Sequence, residues 1–569
     1  MKVTRRDLLL WGAAGAAGLA ITPVPWKLLD DVSIWSQNWP WIPQPTHGPV
    51  EVKQSFCTLC PNGCGMRVRM AAGWPVGIAG VASHPITRGA LCPLGYGAHQ
   101  LNWHPQRLRT VRHRTNSSSW EEARAAFAKA CGEGPIAIID GYPGRAASSV
   151  FESFAQKRGS YRAVLGPEMQ ALSPYEMWSG VPAAGLGYDL ENAQTVVSFG
   201  APLLDGWGTP GRFTRLWAER AAGSTDPQLR LIQVEPSFSG TAPSRTATRA
   251  WQWVPIHAGA EAALAAGLAR VLLDEHLVSV SARGPMPPIT LAEAADETGL
   301  SIGAIADLAR TMVARPPVLV IANDGNPAIA ALNVVLGAAG APGGIVRRAK
   351  HTESYASAAA DIGSARAVLI DSTVPWNFAP PTNAEVFRFA AWDGGSCTAD
   401  WLLPAPGFLE ELTDVPTSPA SAIATYAVAP TLLKAPPGVQ SAAQFLFLSG
   451  IDPTLMPVEK IIHARCADLF RERAGTLQGQ DTTPVAKFAS VQKLEEQLWK
   501  GAVWIGEPPR SAAFRCALKE WPATARSAQS MSSSSMNWSK AWRAPVLPPL
   551  ASKLYQESSL REAPEGRNA

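Results

Sequence analysis

The most specific chemistry in this sequence belongs to four cysteines. Cys57-x2-Cys60-x3-Cys64 closes within eight residues, and Cys92 follows after 27 more. A cube of four irons needs one thiolate at each corner. A short loop holding three cysteines can wrap one face of it while a distant fourth closes the other. The residues between them suit such a loop. Pro61, Asn62 and Gly63 turn it, and Gly65 is expected to let the backbone approach a cluster, as Gly89 and Gly95 do around Cys92. Structural zinc and disulfides are the other uses of four such thiols. Zinc ribbons generally pair two C-x2-C knuckles, whereas the second half here supplies one cysteine, so the spacing favours one [4Fe-4S] cluster on Cys57, Cys60, Cys64 and Cys92. Cys131, Cys397, Cys466 and Cys516 stand alone in apolar or helical surroundings and read as core thiols.

Other reactive side chains carry weaker signals. His84, His99, His104 and His113 flank Cys92 and are expected to be exposed or hydrogen-bonded rather than chemical. Arg107, Arg109, Arg112 and Arg114 form a basic run that reads as a solvated edge or a partner-facing patch. Glu410 and Glu411 show no partner carboxylate at a spacing that argues for acid–base catalysis. No G-x-G-x-x-G follows a strand, and neither a P-loop nor H-E-x-x-H occurs.

The elements that hold the cysteines must come from a chain of 569 residues, 46 % apolar and 17 % charged, with 50 basic and 46 acidic residues. At about 100–200 residues per domain, three or four domains are expected. That size excludes a small binding module, and the apolar share excludes a disordered chain. Near-neutral scattered charge argues against a nucleic-acid binder. Forty-nine Pro, 48 Gly and 21 Trp predict long irregular loops and aromatic surfaces able to meet partners or a membrane interface. Short apolar runs at 136–139, 195–199, 229–234, 318–321 and 367–370 read as buried parallel strands. Ala-rich helical patterns such as 120–131 and 260–273 lie between them, so the fold class is α/β with doubly wound sheets.

Residues 1–30 read as an export signal: Lys2, Arg5 and Arg6 precede an uncharged stretch from Leu8 to Trp26, and Thr4-Arg5-Arg6-Asp7-Leu8-Leu9 resembles a twin-arginine motif. That route carries folded, cofactor-loaded proteins to the bacterial periplasm. An amino-terminal membrane anchor is the alternative. Residues 31–50, with Trp35, Trp39 and Trp41, read as an extended arm on a partner or the membrane surface. The further boundaries expected are a cluster domain at 51–115, a discontinuous α/β domain at 116–160 and 318–510, an α/β domain at 161–317, and an extended tail at 511–569 that runs over a neighbouring subunit.

With these residues in view, the sequence resembles the molybdopterin oxidoreductase family, also called the dimethyl sulfoxide reductase family. The cysteine pattern carries the likeness. It continues in Arg88-Gly89-Ala90-Leu91-Cys92-Pro93, in His104-Pro105-Gln106-Arg107-Leu108, in Ala193 to Gly200, in residues 331–346, and in Thr398-Ala399-Asp400-Trp401-Leu402-Leu403-Pro404 with Glu410. The resemblance implies a small amino-terminal Fe–S domain on two doubly wound α/β domains. In active members, loops of the type Gly-x-Asn, Asp-Pro-Arg and Pro-Gly-Thr-Asp hold pterin guanine dinucleotides. Those places read Gly200-Ala201-Pro202, Glu235-Pro236-Ser237 and Ala258-Gly259-Ala260-Glu261 here, which cannot make the same hydrogen bonds. Around 165–190, where the family supplies a metal ligand, only Ser173, Ser179 and Asp189 are candidates. Leu94 replaces the Lys or Arg common between cluster and pterin, and after Gly506 the family's carboxy-terminal β-barrel is expected to be missing.

The losses make the chain most similar to cofactor-poor relatives in the menaquinone reductase complex and alternative complex III. That likeness implies an iron–sulfur electron-transfer and scaffold subunit with no catalytic residues of its own, Mo and pterin absent. Its implied partners are a ferredoxin-like Fe–S subunit, a multihaem cytochrome c and a polytopic quinone-binding membrane subunit, on the periplasmic side of the inner membrane. An active Mo or W enzyme of the polysulfide or thiosulfate reductase kind, and a purely structural subunit, are the alternatives.

Overall fold

The structure is a computed structural model that describes residues 3–21, 48–104, 107–204, 207–222, 224–238, 248–278, 284–348, 363–371, 383–392, 399–507, 514–516 and 518–522. The contacts divide it into two units, residues 1–52 with 69–76 and residues 53–68 with 77–569. In the first unit, helix Arg5–Ile21 begins beside Thr4, whose hydroxyl and amide both donate to the Asp7 carboxylate. No helix among the described residues is long and apolar enough to cross a membrane. The arm at 31–47 and the tail beyond 522 lie outside the described residues.

Two parallel sheets form the body of the second unit. The first orders its strands Trp251–Val254, Arg230–Val234, Thr195–Phe199, Val318–Ala322, all parallel. Thr195–Phe199 and Val318–Ala322 are buried at every position, as strands covered on both faces must be. Helix Glu261–Asp274 buries nearly its whole surface beside helix Pro327–Val335, which explains its Ala and Leu content. The second sheet has seven strands, five of them parallel in the order Trp401–Pro404, Glu385–Ala390, Ala367–Asp371, Ile136–Asp140, Gly159–Ala163. Helix Trp120–Glu133 opens on a capping box in which Ser119 and Glu122 satisfy each other's amides.

The five predicted strands are all present, but one domain boundary moves. Val318–Ala322 pairs in register with Thr195–Phe199 and so belongs with the domain expected to end at 317. Its apolar run could have served either sheet, and only the pairing distinguishes them. A five-stranded antiparallel sheet, Thr413–Val415 through Val503–Ile505, was not foreseen; its strands are three to five residues long, too short for a periodic signal. The start of the expected tail also packs on the chain itself: Phe514 and Trp521 are buried in the core of the four-stranded sheet.

Candidate iron–sulfur site

The loop that carries three cysteines is closed at its base by the Cys57 amide, which donates to the Cys64 carbonyl at 2.9 Å. Gly63 turns it with φ +58°, and a Cβ there would lie 2.2 Å from Val415 Cγ1, so both conformation and space demand glycine. Asn62, read from the sequence as a turn residue, is a buried anchor. Its Nδ2 donates to the Gly208 carbonyl at 2.7 Å, its Oδ1 accepts from Thr209 Oγ1 at 3.1 Å, and its carbonyl accepts from Ser418 Oγ at 2.5 Å. Cys92 caps the short helix Pro93–Gly97, and its Sγ accepts from the Gly95 amide at 3.4 Å. At Gly65 a Cβ would meet the His84 ring at 2.7 Å, so its missing side chain also makes room for an imidazole.

The four thiols gather. All are free, Cys57 and Cys64 buried and Cys60 and Cys92 half-buried, and all six pairings among them interact electrostatically. Burial pushes the Cys57 thiol up to about 12; burial, then the neighbouring thiols, push Cys60 and Cys64 higher still. Four buried or half-buried sulfurs that raise one another's pKa values call for a cation, which lowers thiol pKa outright. Among the described residues, no group of three His, Cys, Asp or Glu side chains is arranged to hold a single metal ion. Four thiolates are the donor set that an iron–sulfur cube takes.

The histidines are only partly as expected: the Nδ1 of half-buried His99 is buried without a hydrogen-bond partner, whereas His84 and His113 are engaged. His84 is buried, and its Nδ1 lies 3.2 Å from the Thr87 amide and 3.0 Å from Thr87 Oγ1; burial pushes its pKa down to about 4. His113 stacks on Trp401 at 4.4 Å. The basic run is not uniformly solvated, however. Arg107 is buried, pairs with Glu410 and lies 5.7 Å from the Trp392 ring. Glu410, which seemed partnerless, is therefore half of an ion pair spanning 303 residues that no local spacing could disclose.

Glu168 is a site residue that sequence reasoning missed. It is fully buried, and its charge is felt at Cys60. Burial pushes its carboxyl up to about 7, against the nearby amides of Glu168 and Gly208. The three candidates for a metal ligand are otherwise engaged. Ser173 Oγ donates to the Gln170 carbonyl, Ser179 Oγ donates to the Tyr175 carbonyl, and Asp189 accepts from Asn192 Nδ2 and the Gly343 amide.

The loops at the end of the four-stranded sheet are largely closed on themselves. Ser198 Oγ donates to the Ala201 carbonyl at 2.9 Å; Gln233 Nε2 reaches the same carbonyl at 3.3 Å and Glu235 Oε2 at 3.1 Å. Glu261, in the first turn of its helix, is the exception: it is buried with both carboxylate oxygens unpaired, and burial raises its pKa.

Comparison with known proteins agrees with this geometry. Residues 50–102 match the molybdopterin oxidoreductase Fe4S4 domain. The chain is 31 % identical over 369 residues to the menaquinone reductase molybdopterin-binding-like subunit of Nitratidesulfovibrio vulgaris, covering 61 % of this chain and 52 % of that protein. It is 25 % identical over 265 residues to the major subunit of the nitrate-inducible formate dehydrogenase of Escherichia coli, covering 40 % of this chain and 25 % of that one. The chain thus spans about half the length of the first relative and about a quarter of the second. Acetylene hydratase from Pelobacter acetylenicus shares the fold, with a TM-score of 0.58 over 80 % of this chain and 74 % of that one at 14 % identity. The likeness to molybdopterin oxidoreductases and the α/β architecture with an amino-terminal Fe4S4 domain are therefore borne out.

Proposed function

We propose that this chain is an iron–sulfur electron-transfer and scaffold subunit of a membrane-associated periplasmic quinone oxidoreductase complex, and that it has no Mo or pterin of its own. One observation carries the reading: the four cysteines of an Fe4S4 domain meet in all six pairings, in a chain similar to a menaquinone reductase subunit described as only molybdopterin-binding-like. Cys57, Cys60, Cys64 and Cys92 are the ligands. When bound, a [4Fe-4S] cluster stores and passes single electrons. The chain's own part is to hold four thiolates apart, keep water from Cys57 and Cys64, and direct the Gly95 amide at Cys92 Sγ, a contact that tunes potential.

The inward-turned bonds at Ala201 support the absence of a dinucleotide, because Ser198 Oγ and Gln233 Nε2 are already bonded to the chain's own oxygens, although Gln233 Oε1 is left unpaired. The partners are those the resemblance implies: a ferredoxin-like subunit, a multihaem cytochrome c and a polytopic quinone-binding protein. Export by the twin-arginine route, with peripheral membrane attachment, follows from Arg5 and Arg6 at the start of an apolar helix. The second reading, a working Mo or W enzyme, is favoured by the buried carboxylates of Glu168 and Glu261, whose pKa values burial raises. Metal analysis of the purified complex separates the two. About four irons per chain with no Mo or W is expected from a single cube; stoichiometric Mo or W overturns the scaffold reading, and zinc in place of iron leaves only a structural subunit.

A further inference from the structure

A cavity of about 140 Å³ lies against the cysteine loop, bounded on one side by Ser55 and Thr58 and on the other by Tyr142, Arg145, Asp371 and Glu411. Parallel pairing builds its far wall. Asp371 and Asp140 end neighbouring strands in register, and Arg145 bonds to both, at 2.5 and 3.4 Å. Two of the lining hydroxyls have no partner: Ser55 Oγ and Tyr142 Oη are hydrogen-bonded to nothing, although Ser55 is 1 % and Tyr142 5 % exposed. A buried hydroxyl left unpaired is destabilising unless water supplies the missing bond. A cavity of this size has room for several water molecules, and these hydroxyls with the surrounding charges give each water the partners it needs.

Electrostatic coupling links this cavity to the thiols. Cys60 and Cys57 act on Tyr142, the Arg145 guanidinium lies 4.9 Å from the Tyr142 ring, and Asp371, Asp140 and Glu411 act on Arg145. Asp140 is saturated, accepting from the Tyr142 amide, Ser148 Oγ and Tyr161 Oη. Glu411 is half-buried and interacts with Arg145, Asp371 and the Ser441 hydroxyl.

We propose that this cavity is hydrated and that Glu411 is a redox-linked proton site for the cysteine-held cluster. The inference rests on the four-cysteine assignment made above. One electron from a one-electron donor adds a negative charge behind the Cys57–Cys60 loop. One proton from bulk water then forms an O–H bond on the Glu411 carboxylate, and the net charge of the region is unchanged; oxidation reverses both. Burial already holds the Glu411 carboxyl above its ordinary range, with Arg145 and Ser441 opposing and Asp371 assisting. Glu168, the other buried carboxylate near the thiols, does not line this cavity and so lacks its water.

The test is an EPR-monitored redox titration of the reduced cluster signal in the full chain at several pH values. In the unaltered protein the midpoint should fall as pH rises, approaching about 59 mV for each tenfold change in proton concentration, the constant for one proton per electron. Glu411→Gln should flatten that slope while the signal persists. Tyr142→Phe, a milder change, should reduce it and serves if the first variant fails to take up iron. A pH-independent midpoint in the unaltered chain overturns the inference and leaves the cysteine assignment standing, whereas no signal at all overturns both. A slope that survives Glu411→Gln and disappears in Glu168→Gln assigns the proton to Glu168 and refutes the cavity.

Discussion

The cysteine loop and the loops at the end of the four-stranded sheet are both turns, yet their polar groups are disposed in opposite ways. Around the cysteines, two cavity hydroxyls, Ser55 Oγ and Tyr142 Oη, are buried without a hydrogen-bond partner. At the sheet end, Ser198 Oγ and Gln233 Nε2 both donate to the Ala201 carbonyl and Gln233 Nε2 also reaches Glu235 Oε2, while Gln233 Oε1 is left unpaired. Buried polar groups that native structures leave unpaired mark a place where something else supplies the bond. The first region leaves hydroxyls unpaired around a cavity, whereas the second turns most of its donors onto its own oxygens.

Four experiments sharpen or break this contrast. Cys64→Ala should abolish it from the cluster side: the EPR signal of the reduced chain disappears and iron content collapses, whereas a chain that keeps its full signal would show that Cys64 is no ligand. Acid should act next. In the fold His84 stays neutral down to about pH 4, while in the unfolded chain an imidazole takes up its proton near 6.5. The unfolded state therefore binds more protons between those values, so stability is lost as pH falls through that window, by about 3 kcal/mol in all. Urea unfolding across the range should show the loss, and His84→Gln should remove its pH dependence.

Smaller effects come from the anchors. Asn62→Ala leaves the Gly208 carbonyl and Thr209 hydroxyl unpaired and should cost about 2 kcal/mol, read as a lower thermal midpoint with weaker iron retention. Gln233→Ala at the sheet end should cost about 1 kcal/mol and leave iron untouched; release of a bound nucleotide on making it would contradict the contrast directly.

Much of this was legible in the sequence, for a definite reason. Cys57, Cys60 and Cys64 lie within one loop, so their spacing alone fixes how they can meet. Buried strands such as Ile136–Asp140 and Thr195–Phe199 announce themselves by runs of apolar residues between turns, because parallel strands are covered on both faces. Asn62 was visible only as a turn former, since its partners are 146 residues or more away. Gly65 was read as room for a cluster, and nothing in the sequence signalled that it also makes room for His84. Arg107 and Glu410 each looked solvated or idle because the pair spans 303 residues.

The sequence by itself determined which atoms can bind metal and which segments must be buried, since thiol chemistry, glycine dihedrals and apolar periodicity are local properties. Only the tertiary structure decided which sheet Val318–Ala322 joins, and that Asp140 and Asp371 end side by side so that one arginine holds both. It alone placed Ser55, Tyr142 and Glu411 around one cavity. Strand pairing and burial depend on contacts between distant residues, and no short window of sequence contains both partners.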